Sequence, residues 1–312
     1  MELSPSYYRS LTPLLDRTTL AHQPNWPLIF GRAAPLELEI GFGNGEYLHR
    51  SSLAQPDRDF VGLEIAWASI KRALRRLAGP PRANVRLIML AGKPALKYLF
   101  GPESLDVIRV LFPIPWPREN HAHKRLLARD FLNLVGRRLK KDGVFHLVTD
   151  NENLANWTLE EALGSALDLT LTHKPAQLDT KYERKWLSQG QTTFYRLEGR
   201  PLNLAPLKPE EPDQGLLTMR PTYIDDFDPE KYRPQGQTGA ITVLFGTFFF
   251  DPKLNEGLLF TKVVEDNFVQ EFYLRLTPEP DGRHKVSPAI SGEAFPTRGL
   301  QLALDLAAAR LS

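Results

Sequence analysis

Three glycines at alternate positions, in Glu39-Ile40-Gly41-Phe42-Gly43-Asn44-Gly45, follow an apolar run carrying Leu36, Leu38 and Ile40. Glycines at a strand-to-helix turn let the backbone press against a ligand. Glu64 closes a second apolar run, Phe60-Val61-Gly62-Leu63-Glu64, about 20 residues on, a spacing that suits a carboxylate on ribose hydroxyls. Together these residues point to a nucleoside cofactor. The same glycines would also serve a tight turn with no ligand. A dinucleotide fingerprint sets its third glycine one position later, where Glu46 stands, and a carboxylate there disfavours a pyrophosphate at the helix start.

A second constellation is Phe112-Pro113-Ile114-Pro115-Trp116-Pro117-Arg118-Glu119-Asn120-His121-Ala122-His123-Lys124-Arg125. Its prolines stiffen a loop after a predicted central strand, where open α/β sheets bind ligands. Trp116 offers a stacking face, and Arg118, Lys124, Arg125 and Arg129 offer charge for phosphates. Residues 109–141 hold nine basic and two acidic side chains; a solvated basic helix on a rigid turn is the plainer alternative. His121 and His123 could suggest a metal, but no cysteine or carboxylate cluster accompanies them, so no metal is expected. Asp150 ends the run Val148-Thr149-Asp150, where it could be a helix cap or a functional group. Thr180-Lys181-Tyr182-Glu183-Arg184 is a polar, turn-like run that by itself reads as surface.

These residues need elements to hold them. Strands are expected at 36–40, 60–64, 85–89, 106–111 and 144–149, with helical patterns at 47–54, 67–77, 94–99 and 124–139 between them. This alternation predicts a mostly parallel, doubly wound α/β sheet. A further helix through Leu154, Trp157 and Ala162, capped by Asp150 or Asn151, and two strands near 169–173 and 192–197 complete it. Residues 1–34 read as an irregular or partly helical lead, and 35–200 as the sheet domain. Residues 201–235, punctuated by seven prolines in an acidic context, read as a linker. Residues 236–312 read as a small α+β domain.

Composition narrows the class. The 312 residues include no cysteine, which excludes disulfides and thiolate metal sites. The N-terminus carries no long apolar run, and the apolar cluster of 243–250 is too short to span a bilayer, so a cytoplasmic protein without membrane contact is expected. Residues 1–200 carry 28 basic and 21 acidic side chains; residues 201–312 carry 11 and 16. The first part could meet a polyanion; the second is poorly suited to it.

The acid-x-Gly-x-Gly-x-Gly form resembles the cofactor loop of S-adenosylmethionine-dependent methyltransferases. Taken with Gly62-Leu63-Glu64-Ile65, Pro113-Ile114-Pro115-Trp116 with His121 and Arg125, Val148-Thr149-Asp150, and Thr180-Lys181-Tyr182-Glu183, it resembles the bacterial tRNA (guanine-N7)-methyltransferase family over roughly residues 36–200, in a longer form with a C-terminal extension. The resemblance implies a Rossmann-like sheet of six or seven strands, S-adenosylmethionine as cofactor with S-adenosylhomocysteine as product, and tRNA as partner, modified at guanine 46. The protein could be a monomer or a homodimer. Cofactor contacts are expected from Glu39, Gly41, Gly43, Gly45, Glu64 and Ile114. Substrate contacts are expected from Trp116, Arg118, His121, Lys124, Arg125, Asp150, Thr180, Lys181, Tyr182 and Glu183, with Asp150 as the catalytic group. Two positions depart from the family pattern: Ile114 replaces an aspartate, and Ala91 falls near an expected cofactor acid. An active tRNA methyltransferase, a weakened or inactive homologue that only binds cofactor or tRNA, and a methyltransferase on another RNA all stay open on sequence.

Overall fold

The computed structural model describes residues 10–17, 20, 23–78, 83–116, 125–202, 219–265, 268–289 and 294–309. Its elements begin with β1 (Leu14–Leu15), α1 (Trp26–Phe30), β2 (Leu36–Ile40), α2 (Glu46–Ala54), β3 (Asp59–Leu63), α3 (Trp67–Leu77), β4 (Val85–Ile88) and α4 (Gly92–Tyr98). There follow β5 (Leu105–Leu111), α5 (Arg129–Arg138), β6 (Leu139–Thr149), α6 (Glu152–Ala162), β7 (Leu167–Pro175), α7 (Lys181–Ser188) and β8 (Thr193–Pro201). The chain closes with β9 (Thr222–Ile224), β10 (Ile241–Asp251), β11 (Glu256–Glu265), β12 (Phe268–Pro278), β13 (His284–Pro288) and α8 (Arg298–Ala308). Two compact units result, the first holding β1 to β8 and the second β9 to β13 with α8.

In the first unit the strand order is β1-β4-β3-β2-β5-β6-β8-β7. Strands β1 to β6 pair in parallel, while β8 runs antiparallel between β6 and β7. The sheet thus has eight strands, not six or seven. The extra one is β1, from the segment expected to be irregular: Leu14 and Leu15 pair with Leu87 and Ile88, and the Pro13 carbonyl accepts from Leu87 N–H at 2.6 Å. Chain order reverses between β2 and β5, so the loops leaving their carboxyl ends flank the crevice where such sheets take ligands.

Strand β2 reads Leu-Glu-Leu-Glu-Ile, the alternation of a strand with one wet face, yet all five residues are buried. Glu37 is tolerated because Arg109 of β5 donates to it at 2.6 Å, as does the Tyr47 hydroxyl of α2; a buried charge needs such partners. The opposite side chains, Leu38 and Ile40, share the other face of the sheet with Val61, Leu63, Ile108 and Phe145, all buried. Helix α6 is capped by Asn151, whose side chain accepts from Leu154 N–H at 2.8 Å, which settles the choice between Asp150 and Asn151. The helix expected over 124–139 starts later, at Arg129, and ends at Arg138; 125–128 are coil and turn, and Lys124 lies outside the described residues.

The second unit is an antiparallel sheet, β10-β11-β12-β13-β9. Helix α8 lies on one face, setting Leu300, Ala303, Leu304 and Ala307 against Val243, Leu259, Val263, Phe272 and Leu274. A bulge interrupts β10 between Phe245 and Phe248. Strand β9 lies within the stretch that its prolines mark as a linker; Pro221 immediately precedes it, a place where the missing N–H costs the ladder nothing.

Candidate active site

The glycine turn has the backbone that its composition demands. Gly41, Gly43 and Gly45 have φ of 75°, 57° and 72°, the left-handed region that only glycine enters freely. They differ in what surrounds them. A Cβ on Gly41 or Gly43 would meet nothing within 4 Å, whereas one on Gly45 would stand 2.8 Å from the Ala73 Cβ of α3. Gly41 and Gly43 therefore border open space, and Gly45 lets α2 pack on α3.

Glu39 is 2% exposed and its Oε2 has no hydrogen-bond partner. Burial, with Glu37 and Glu64 adding repulsion against the attraction of Arg109, pushes its carboxyl up to about 8. An orphaned acceptor in so dry a place is costly, and a cationic donor would relieve it. Glu64 is half-buried just past β3. Its Oε2 accepts from Gly43 N–H at 3.0 Å, and its Oε1 from Ile65 and Ala66 N–H at 2.9 and 3.1 Å. That carboxylate both shapes the glycine turn and keeps lone pairs for a hydroxyl ligand. Beside it Ile65 is 71% exposed, an apolar face in the same crevice. Ala91, where an acid was expected, is the N-cap of α4 without a side-chain bond.

Across the crevice, Phe112 and Trp116 sit at φ 52° and 42°, strained values for aromatic residues. Phe112 is held by an edge-to-face contact with Phe194 and a stack on Tyr182, with centroids 5.6 and 5.9 Å away. Ile114, at the place of the family aspartate, is 66% exposed. Arg125 donates to the Trp116 carbonyl at 3.2 Å and lies 4.9 Å from the Trp157 ring centroid. Arg118, His121 and Lys124 lie outside the described residues.

Asp150 follows β6 and is half-buried. Its backbone carbonyl accepts from Gln191, but its carboxylate has no hydrogen-bond partner among the described residues, since Asn151 does the capping. Thr180 caps α7, its hydroxyl accepting from Glu183 N–H at 3.2 Å. Lys181 and Tyr182 are exposed. Glu183 is fully buried: its carboxylate takes Gln177 and Leu178 N–H at 3.2 and 2.7 Å and Arg196 at 3.3 Å. It folds the loop ahead of α7, a role its place in a polar surface-like run did not announce. Among the described residues no group of three histidine, aspartate or glutamate side chains is arranged to hold a metal. A cavity of about 310 Å³ lined by Trp26, Asp59 and Lys140 lies at the other end of the sheet, where β2 and β3 begin.

The chain matches the family described as "Putative methyltransferase" over residues 33–196. It is 38% identical to the tRNA (guanine-N(7)-)-methyltransferase of Chlorobium phaeobacteroides over 165 residues, 53% of this chain and 81% of that protein. The chain belongs to the tRNA (guanine-N7)-methyltransferase family. A family member of Thermus thermophilus is 39% identical over 61% of this chain and 63% of its own length. The family protein of Aquifex aeolicus is 28% identical, but over 89% of this chain and 94% of its own. The likeness to it therefore extends into the second unit, as in longer members of the tRNA (guanine-N7)-methyltransferase family.

Proposed function

We propose that this chain transfers a methyl group from S-adenosylmethionine to N7 of guanine 46 in the variable loop of tRNA. The observation that carries the cofactor part is the pairing of a buried, unpartnered Glu39 oxygen with two glycines that border open space at the reversal of strand order. These residues fit the cofactor: Glu39 would take its cationic methionine end, Glu64 its ribose hydroxyls, and the Gly41–Gly43 backbone and Ile65 its flat and apolar parts. When bound, S-adenosylmethionine supplies an electrophilic methyl group on sulfur.

Guanine N7 carries an in-plane lone pair at neutral pH, so no base is needed to free it. The protein's work is positioning and electrostatics. The unpartnered Asp150 carboxylate suits the N1–H and N2–H₂ donors of the guanine edge, and it offsets the positive charge that the ring gains on methylation. Tyr182, backed by Phe112, offers an exposed face for stacking. Lys181 and Arg125 would meet phosphates, joined by Arg118, His121 and Lys124, with Trp116 bordering the same loop. Ile114 does not argue against activity, because an acid at that place would have had no proton to remove from N7.

Labelled S-adenosylmethionine and tRNA transcripts, followed by borohydride–aniline cleavage mapping, test the proposal. Cleavage at guanine 46 is expected. Cleavage elsewhere would assign another substrate, and bound tRNA without methyl transfer would make the chain a binding homologue.

A further inference from the structure

Glu46 takes no part in the chemistry above. By type and place, a carboxylate at the first residue of α2, it would be a favourable helix start and nothing more. Its contacts go further. It is 8% exposed, and its oxygens gather three donors from two other elements. Oε2 accepts from the Lys181 backbone N–H at 2.6 Å, and Oε1 from Arg184 at 2.9 Å and Arg76 at 3.0 Å. Arg76 also donates to the Asn44 carbonyl at 3.0 Å, inside the glycine turn. Lys181 is the first residue of α7, so its N–H is one of the donors that a helix start leaves unmet. Burial opposes ionisation, yet the Lys181 N–H, Arg184 and Arg76 hold the Glu46 carboxyl below its ordinary range. One turn further along α2, Arg50 reaches the Leu178 carbonyl and, at 2.9 Å, the Asp179 carbonyl. One carboxylate thus ties the backbone of the glycine turn to the helix start that presents Thr180, Lys181 and Tyr182.

We propose that Glu46 is a positioning residue that couples occupancy of the glycine turn to the order of the loop at 177–184. The inference rests on the function proposed above for the identity of the two ligands. A ligand that rigidifies one end of such a brace spares the second ligand part of its ordering cost, and the benefit is reciprocal. Without the Glu46 charge, Arg76 loses its ion pair and Arg184 keeps only its pair with Asp179, so the coupling weakens to what the Arg50 contacts with the loop still carry.

Amide hydrogen exchange of residues 177–184 in the full chain, with and without S-adenosylhomocysteine, reads the coupling directly. Titration of a tRNA transcript under the same two conditions reads its consequence. In the wild type, S-adenosylhomocysteine slows exchange at 177–184 and tightens tRNA by about fivefold or more. Glu46→Gln keeps the shape and can keep the Lys181 bond; it binds each ligand alone within about twofold of wild type, while both responses shrink by at least half. Arg184→Gln alters a side chain that is 47% exposed; it removes the α7 end of the ion pair together with the Arg184–Asp179 pair and leaves the Lys181 bond to Glu46, so it tests the charged part of the link without depending on Glu46→Gln folding well. S-adenosylhomocysteine bound to the wild type without slower exchange at 177–184, or a response undiminished in both variants, overturns the inference. A wild type that binds S-adenosylhomocysteine and shows the exchange response, yet methylates no tRNA, overturns the proposed substrate and leaves the coupling standing. A wild type that does not bind S-adenosylhomocysteine overturns both.

Discussion

At the scale of the residue, the site is a contest between carboxylates that the fold has occupied and those it has left open. Glu37, Glu46, Glu64 and Glu183 already hold donors; Glu39 and Asp150 keep acceptors free. Asp150→Ala should lower the rate of methyl transfer by tenfold or more, on the order of 1.4 kcal/mol, with little change in thermal stability; near-normal turnover would remove Asp150 from the mechanism. Glu39 leads to a pH effect. Its carboxyl rises from 4.5 to about 8 on folding, so between those values the folded state holds a proton that the unfolded state has released. Stability is therefore lost as pH rises through that window. Glu39→Gln should flatten the dependence: its unfolding midpoint should exceed that of the wild type near pH 8, and the gap should close toward about pH 4.5. Equal slopes for the two proteins would refute the assignment. The glycines, Glu39 and Glu64 were legible in the sequence because their signal is local spacing. The roles of Glu46 and Glu183 were not: the Glu46 partner Lys181 lies 135 positions away, and Glu183 closes on a loop and a strand that only tertiary structure brings to it.

At the scale of the element, the strand-to-helix turn divides its labour among three glycines, and substitution should separate the tasks. Gly43→Ala meets no neighbour but must adopt φ 57°, a strain of about 1–2 kcal/mol. It also fills space on the ligand side, so cofactor affinity should fall by more than the loss of stability explains. Gly45→Ala drives a methyl group against Ala73 at 2.8 Å and should act on stability, by about 1–3 kcal/mol beyond the same backbone strain. Calorimetric titration of S-adenosylhomocysteine beside thermal melts would show whether the two variants diverge in this way. The parallel strands and their helices were readable because short apolar runs of strand length alternate along the chain with helical patterns. Strand β1 was not readable. Two residues carry no periodicity, and the strand exists because β4 offers an edge.

At the scale of the whole molecule, charge follows the division of the chain: residues 1–200 have a basic excess, and residues 201–312 an acidic one. Affinity for tRNA should fall with salt at a slope set by phosphate contacts of the first unit. Deleting residues 207–312 should leave that slope unchanged while lowering the unfolding midpoint; a shallower slope would assign phosphate contacts to the second unit. The α+β character of the second unit was evident from its β-rich runs and closing helix, whereas its strand order, with β9 beside β13, depends on pairing across about sixty intervening residues, which no local pattern encodes. The two sheets also differ in how far apart their neighbours lie along the chain. In the second, β10 to β13 are joined in succession; in the first, every parallel pair must wait for a crossover, and β2 meets β5 only after two other strands have been laid down. Contacts local in sequence form sooner. On refolding from denaturant, pulse-labelled amides of β11 and β12 should be protected before those of β2 and β5. The unit that the ribosome makes later would then be the sooner of the two to reach its native state in the test tube, and the order of synthesis in the cell would give the slower sheet its head start.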